Sequence, residues 1–376
     1  MSPARENESI GPSRRSSPAR MTQGTPGGAM AWTSMSGSSS EGREAMRSWI
    51  AVILARRPLG SRVLPSMLNT IQPMIGCTPS SIALTENSSA ANSALVSVSA
   101  TAGIPFAAAD VGGFAGDTTG ELLARWYQAA VGYAFVRNHA ALGTADQEPW
   151  RFGETVTDVI RAALELRYRL LPHLYTLAQG ATRTALPVMR PLALHWPADE
   201  DAAREDTQYL LGEGLLVAPV LRAGHRRRLV YLPAGRWAAV FNLSQFGPIH
   251  AGGQHVVADA PLDTLPLYLR AGTALPVTEP APHTTSARWE RLSWLIHVDR
   301  AGFVGQLFED AGDGPAGGRL TRLVGERQGA RLTIRRDAEG DICSFEQRET
   351  MHVLGLGHVR SVQGAASFAY EDGVLR

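Results

Sequence analysis

Lysine is missing from this chain; every one of its 36 basic residues is arginine. Against 35 acidic residues these leave a net charge of +1, so no field of one sign is present to capture nucleic acid or a membrane. Cysteine is almost missing as well. Cys77 and Cys343 lie far apart in the chain, offer no metal-ligand spacing, and read as two unpaired thiols. No long apolar run exists. The stretch WIAVIL at residues 49–54 falls far below the roughly 20 residues of a membrane span. The polar N-terminus lacks the apolar segment of a signal peptide, so a cytoplasmic protein is the expectation.

A second set of absences is local. Residues 1–100 contain no Asp, His, Phe or Tyr, and Trp32 and Trp49 are their only aromatics. So little large apolar surface cannot offset the entropy of ordering, which predicts disorder for residues 1–45. Residues 46–100 are more apolar but hold no sustained period of 3.6 or 2.

Beyond residue 100 the pattern becomes regular. Residues 103–109 read as a short buried strand ending at Asp110, followed by the glycine-rich loop VGGFAG. Thr118 with Glu121 is a capping-box signal for a helix reaching about Ala130. Residues 131–138 read as a second buried strand ending at His139. Apolar residues at helical spacing then predict one long helix over 155–182. Strand, loop and helix repeating in this order is the grammar of a parallel α/β unit.

From Leu186 the rhythm changes to short strands, over 188–195, 215–221, 228–232 and 266–270. Turn residues punctuate them at roughly 8–12-residue intervals, the signature of a β-sandwich. Residues 277–285 read as a linker. Strands at 292–298, 305–308, 319–324 and 331–335 predict a second all-β domain. The expected organisation is 1–100 poorly ordered or corrupted, 101–185 the last part of a (β/α)8 barrel, 186–278 a proximal β-sandwich and 286–376 a distal one.

In a (β/α)8 barrel, reactive groups sit at the C-terminal ends of strands, which is where Asp110 and His139 fall. A carboxylate there accepts hydrogen bonds from sugar hydroxyls and an imidazole donates one, but position alone names no substrate.

The run AADVGGFAGDTTGELLARWYQAAVGYAFVRNHAALGTADQEPW resembles the late-barrel signature of family 31 glycoside hydrolases, which are retaining α-glycosidases. LRYRLLPHLYTL, PVMRPLALHWPAD, LLGEGLLVAPVL, VYLPAGRW, PLYLRAGTALP and LFEDAGDG follow in the family's order, over nearly three quarters of the chain. The resemblance implies the C-terminal portion of a TIM barrel and two β-sandwich domains. It assigns Asp110, Phe114, Arg137 and His139 to binding one sugar, and an α-linked oligosaccharide or α-glycoside as substrate. Trp126, Glu148 and Trp150 would pack or brace the loops, and Asp310 and Asp313 would shape a distal turn. No metal or organic cofactor is implied, because two carboxylates suffice for the chemistry.

Those carboxylates are the difficulty. Retaining hydrolysis needs a nucleophile and an acid/base about 5–5.5 Å apart. The family nucleophile lies in a pattern like W-x-D-M-N-E-P. Here its only echo is WTSMSG at residues 32–37, with serine in place of aspartate and no base to activate it. The acid/base aspartate lies in a context like T-G-D-N, for which Thr85, Glu86 and Asn87 are the nearest counterpart, leaving Glu86 as a displaced acid/base candidate. Either the chain has diverged and kept a partial sugar pocket, or the residues before 100 are read from the wrong frame. The abrupt change near residue 100 favours the second. An α-glycoside hydrolase that is itself a catalytically incomplete fragment is expected. The alternative is a non-catalytic carbohydrate-binding or interaction protein.

Overall fold

The computed structural model describes residues 106–376, apart from residues 288, 290, 313–316, 341–347, 358, 366 and 372. Glu86, the 32–37 echo, both cysteines and Asp313 lie outside the described residues. The described part opens with a β–α–β unit: β1 (Asp110–Val111), α1 (Gly120–Ala129) and β2 (Arg137–Asn138), the strands parallel and side by side. Helices α2 (Glu154–Arg169) and α3 (Leu171–Thr184) follow.

Three local expectations are corrected. Thr119, not Thr118, caps α1, its side chain accepting the Leu122 N–H at 3.2 Å. Glu121 turns outward, to the Gly224 amide and the Arg226 guanidinium. The predicted helix over 155–182 is two helices, because Pro172 at the start of α3 has no N–H to continue the ladder. The predicted strand over 131–138 is strand only at Arg137–Asn138. Arg167 explains this by donating to the carbonyls of Val131, Tyr133 and Ala134, the acceptors that a ladder would use. Tyr209 holds the same segment by donating to the Ala129 carbonyl and accepting the Gly132 N–H.

The proximal β-region is a six-stranded sheet with a two-stranded ribbon. The sheet takes β3 (Met189–Arg190), β4 (Tyr209–Leu211), β5 (Leu215–Val217), β7 (Arg236–Phe241), β8 (Gln245–Ala251) and β10 (Leu267–Arg270), in the order β3-β4-β5-β10-β7-β8. The short helix α4 (Glu200–Arg204) lies between β3 and β4. The ribbon pairs β6 (Arg227–Leu232) with β9 (Gln254–Asp259). Both faces of β4, β5 and β10 are buried, which accounts for their unbroken apolar text. Tyr209, Leu211, Leu215, Val217, Leu267 and Leu269 face the helices, while Leu210, Leu216 and Tyr268 pack with Val230, Leu232 and Trp237.

The distal region is an eight-stranded sheet of β11 (Thr273–Thr278), β12 (Arg291–His297), β13 (Gly302–Asp310), β14 (Gly318–Gln328), β15 (Arg331–Glu339), β16 (Arg348–Leu354), β17 (Tyr370–Glu371) and β18 (Val374–Leu375). Residues 277 and 278, expected to open a linker, instead close β11, which runs between β12 and β13 in the interior of this sheet. Leu292, Trp294 and Ile296 alternate with Leu295, the first three entering the distal core and Leu295 the core shared with the helices.

Besides the Glu121 and Tyr209 contacts, two groups of hydrogen bonds tie the α/β unit to the β-regions. Arg125 of α1, 4% exposed, donates to the carbonyls of Ala260 (2.8 Å), His225 (3.2 Å), Pro261 (3.2 Å) and Thr264 (3.3 Å). Gln128 one turn on accepts from Arg125 and donates to the Leu262 carbonyl at 2.7 Å. On α3, Thr176 accepts the Phe308 N–H at 2.8 Å, and Tyr175 donates to Asp310, which also takes the Gly312 N–H in the expected acidic turn.

Arg125→Leu should cost on the order of 2–4 kcal/mol, since five hydrogen bonds to one cation are lost and their carbonyls stay buried. Arg125→Lys should recover less than half, because a point charge cannot reproduce the planar fork. Chemical denaturation of the three chains tests this, and equal stability of wild type and Arg125→Leu would refute it. A second expectation concerns pH. His173 packs against β4, its Nε2 3.3 Å from the Leu211 carbonyl, and burial assisted by nearby Arg190 pushes its pKa down to about 4. The unfolded chain binds that proton near the ordinary 6.5, the folded chain only near 4. This contribution is therefore complete above pH 6.5 and is lost as pH falls from 6.5 toward 4. The melting temperature should drop across that window, and less so in His173→Phe.

Candidate functional site

The parallel pairing of β1 with β2 sets Asp110 opposite Arg137 and Val111 opposite Asn138. The two loops that leave these strands consequently start side by side. Of the sequence-predicted residues, Asp110, Phe114, Arg137 and His139 come together here. Arg137 donates from Nε (2.9 Å) and Nη2 (2.6 Å) to the same Asp110 oxygen, Oδ1. Asp110 is half-buried while Arg137 is mostly exposed. The rings of Phe114 and His139 meet between the two loops, their centroids 5.4 Å apart and inclined at 40°. Phe114 is 52% exposed, so one face of its ring is open to a partner.

Backbone geometry shapes the first loop. Gly112 and Gly113 have φ of +91° and +93°, a region L side chains avoid. A Cβ at Gly112 would also stand 2.3 Å from Gln147 Oε1. The Gly113 N–H closes a turn onto the Asp110 carbonyl at 3.1 Å. Trp126, fully buried, packs beneath the loop as expected. Trp150 does not: it is 70% exposed on the loop beyond β2.

The second loop, residues 138–148, encloses a concavity of about 520 Å³ whose lining includes His139, Asp146 and Glu148. Residues without a distinctive sequence signal hold it in place. Asn138 donates to the Gln147 carbonyl at 2.8 Å and shares a hydrogen bond with Tyr127. Asp117 accepts the Ala145 N–H at 2.7 Å, and the Ala141 N–H reaches the Phe114 carbonyl at 2.7 Å. The one signal in the sequence for Gln147 is a polar residue in a loop between Asp146 and Pro149, indistinguishable from a solvated one. Among the described residues, no three His, Cys, Asp or Glu side chains gather as for a metal ion.

Residues 84–177 match the Glycosyl hydrolases family 31 TIM-barrel domain, and residues 185–275 the Glycosyl hydrolase family 31 C-terminal domain. The chain is 40% identical to a lysosomal alpha-glucosidase of Bos taurus over 238 residues, covering 59% of this chain and 25% of that protein. It is 42% identical to alpha-glucosidase 2 of Bacillus thermoamyloliquefaciens, covering 46% of this chain and 22% of that one. The fold superposes on a GH31 dextranase of Flavobacterium johnsoniae complexed with glucose, with TM-score 0.67 and 27% identity over 73% of this chain and 35% of that one. It also superposes on a GH31 alpha-xylosidase of Xanthomonas citri, with TM-score 0.62 and 27% identity over 72% and 31% of the two chains. The chain thus spans about a quarter of the length of the curated relatives it matches.

Gly112→Ala should destabilise the protein by about 2 kcal/mol or more, combining a strained φ with a clash against Gln147. Gly116 is also at positive φ (+78°), but the methyl that alanine adds there would meet nothing within 4 Å, so its loss should be about 1 kcal/mol. Urea midpoints of the two variants test the difference; equal losses would remove the clash from the account.

Proposed function

The chain belongs to glycosyl hydrolase family 31, as a C-terminal part of it, and from that premise we propose that its two barrel loops hold the terminal sugar of an α-glycoside. The observation that carries this reading is the meeting of Asp110, Arg137, Phe114 and His139 at the ends of adjacent parallel strands. Both guanidinium bonds fall on Asp110 Oδ1, so Oδ2 has no partner among the described residues and is open to a sugar hydroxyl. Arg137 fixes the carboxylate's orientation and sets a cation beside it. The exposed face of Phe114 suits the C–H surface of a pyranose, and His139 beside it supplies a ring N–H to a second hydroxyl. The names of the relatives favour a glucosyl unit in that position.

Cleavage would follow the double displacement of retaining enzymes: one carboxylate attacks the anomeric carbon while the other protonates the departing oxygen, then deprotonates the incoming water. Asp110, held by Arg137, serves recognition in this scheme and performs neither role. The carboxyl pair must come from elsewhere, and the first hundred residues offer glutamates, Glu86 among them, but no aspartate. That observation keeps a second reading in play, a chain that binds sugar and does not cut it.

Glucose titration followed by calorimetry or tryptophan fluorescence is the direct test. Asp110→Asn and His139→Ala should each weaken binding about tenfold or more, the cost of a polar contact to a charged or aromatic partner. A wild-type chain that binds no glucose, maltose or xylose would sink the proposal. Release of nitrophenol from an aryl α-glucoside separates the two readings: turnover abolished by Glu86→Gln identifies the acid/base, and binding without turnover selects the second.

A further inference from the structure

The two sugar-site loops are fastened to each other along their length. Outward from the strands, Gln147 Nε2 donates to the Gly113 carbonyl at 3.3 Å, the Ala141 N–H to the Phe114 carbonyl, and the Ala145 N–H to Asp117. Gln147 is at the centre of this fastening. The residue is 7% exposed and its side chain reaches across to the first loop, with Oε1 only 2.3 Å from where a Cβ on Gly112 would sit. Its backbone carbonyl takes the amide of Asn138, the residue before His139. One residue therefore touches the chain immediately before each of the two rings: Gly113 before Phe114, and Asn138 before His139.

We propose that Gln147 is a positioning residue, locking the Phe114 and His139 loops into one rigid unit so that the two rings present a preformed surface to the sugar. The inference rests on the sugar-site reading for its consequence, but the locking itself can be measured without any sugar. Without the lock, each loop would have to be ordered by the ligand, and binding would lose the corresponding entropy. Leucine at 147 keeps much of the side-chain volume while removing the amide donor; glutamate keeps the length while removing the same donor. Alanine removes both.

Amide hydrogen exchange on the intact chain reads the lock at the Ala141 and Ala145 N–H groups, whose partners lie on the opposite loop. In Gln147→Leu and Gln147→Glu, exchange at these two amides should accelerate about tenfold or more, while amides of β4, β5 and β10 keep their protection. Glucose affinity of both variants should fall about tenfold, the equivalent of one well-made hydrogen bond. Unchanged exchange in a variant that still melts cooperatively overturns the proposal. So does wild-type glucose affinity in Gln147→Leu, which would make the side chain a spacer only. Should Gln147→Leu fail to fold, Gln147→Glu carries the same two readouts. If the wild-type chain binds no glucose, the sugar-site reading fails, and the exchange experiment alone decides whether Gln147 locks the loops.

Discussion

A guanidinium buried without a carboxylate in direct contact sets the relation between the barrel helices and the β-regions. Arg125 meets the carbonyl oxygens of four residues on the proximal region and the amide oxygen of Gln128 on its own helix. Carbonyl dipoles there replace water around the cation, with Glu121 and Asp263 contributing at longer range and Arg226 opposing. Burial pulls the Arg125 pKa down, yet a guanidinium does not lose its proton in proteins. The charge must therefore be satisfied in place, so the 260–264 loop cannot leave α1 without exposing or stranding it. Everything that the α/β unit presents at the ends of β1 and β2 is oriented from this fixed side.

The same helix shows where sequence patterning reads correctly and where it fails. The apolar side of α1, with Leu123 and Trp126, enters the core as an amphipathic helix should. Glu121, Arg125 and Gln128, at i, i+4 and i+7, look like the solvated stripe of such a helix. They are instead an interface. Partial burial works to raise the Glu121 pKa, but the hydrogen bonds from Arg226 and the Gly224 amide prevail and hold it below its usual value. Nothing local distinguishes a polar stripe facing water from one facing another domain's carbonyls. The text VGYAFV misleads for a related reason. Val131 and Tyr133 are buried as a strand's inward residues would be while Phe135 is exposed, but Arg167 and Tyr209 claim the backbone groups that strand pairing would need. Both partners come from distant parts of the chain, beyond the reach of any period.

For the site, order along the chain marks Asp110 and His139 as candidates, although β1 begins at Asp110 and residues 107–109, expected to be strand, are not. Family likeness adds Phe114 and Arg137, and all four converge. The fastening residues Asn138, Asp117 and Gln147 are not legible, since each acts on backbone atoms of a loop whose path depends on tertiary pairing. Glycine pairs such as Gly112 and Gly113 signal an unusual turn in sequence, but not which side chain will fill the space left by the missing Cβ.

The course of β10 into β11 has a consequence for how such chains can be taken apart or recombined. Only Ala271 and Gly272 separate Arg270, the last residue of β10 in the proximal sheet, from Thr273, the first of β11 in the distal one. Strand β11 runs between β12 and β13, and the Val304 amide reaches back to the Gly272 carbonyl. The two β-regions are thus sewn together by a strand that belongs to one by sequence neighbourhood and to the other by hydrogen bonding. A graft or gene fusion that splits the chain in the proline-rich stretch after β11 would leave the distal module with a gap through its middle. A joint placed at Ala271 and Gly272 respects the seam that the backbone actually follows.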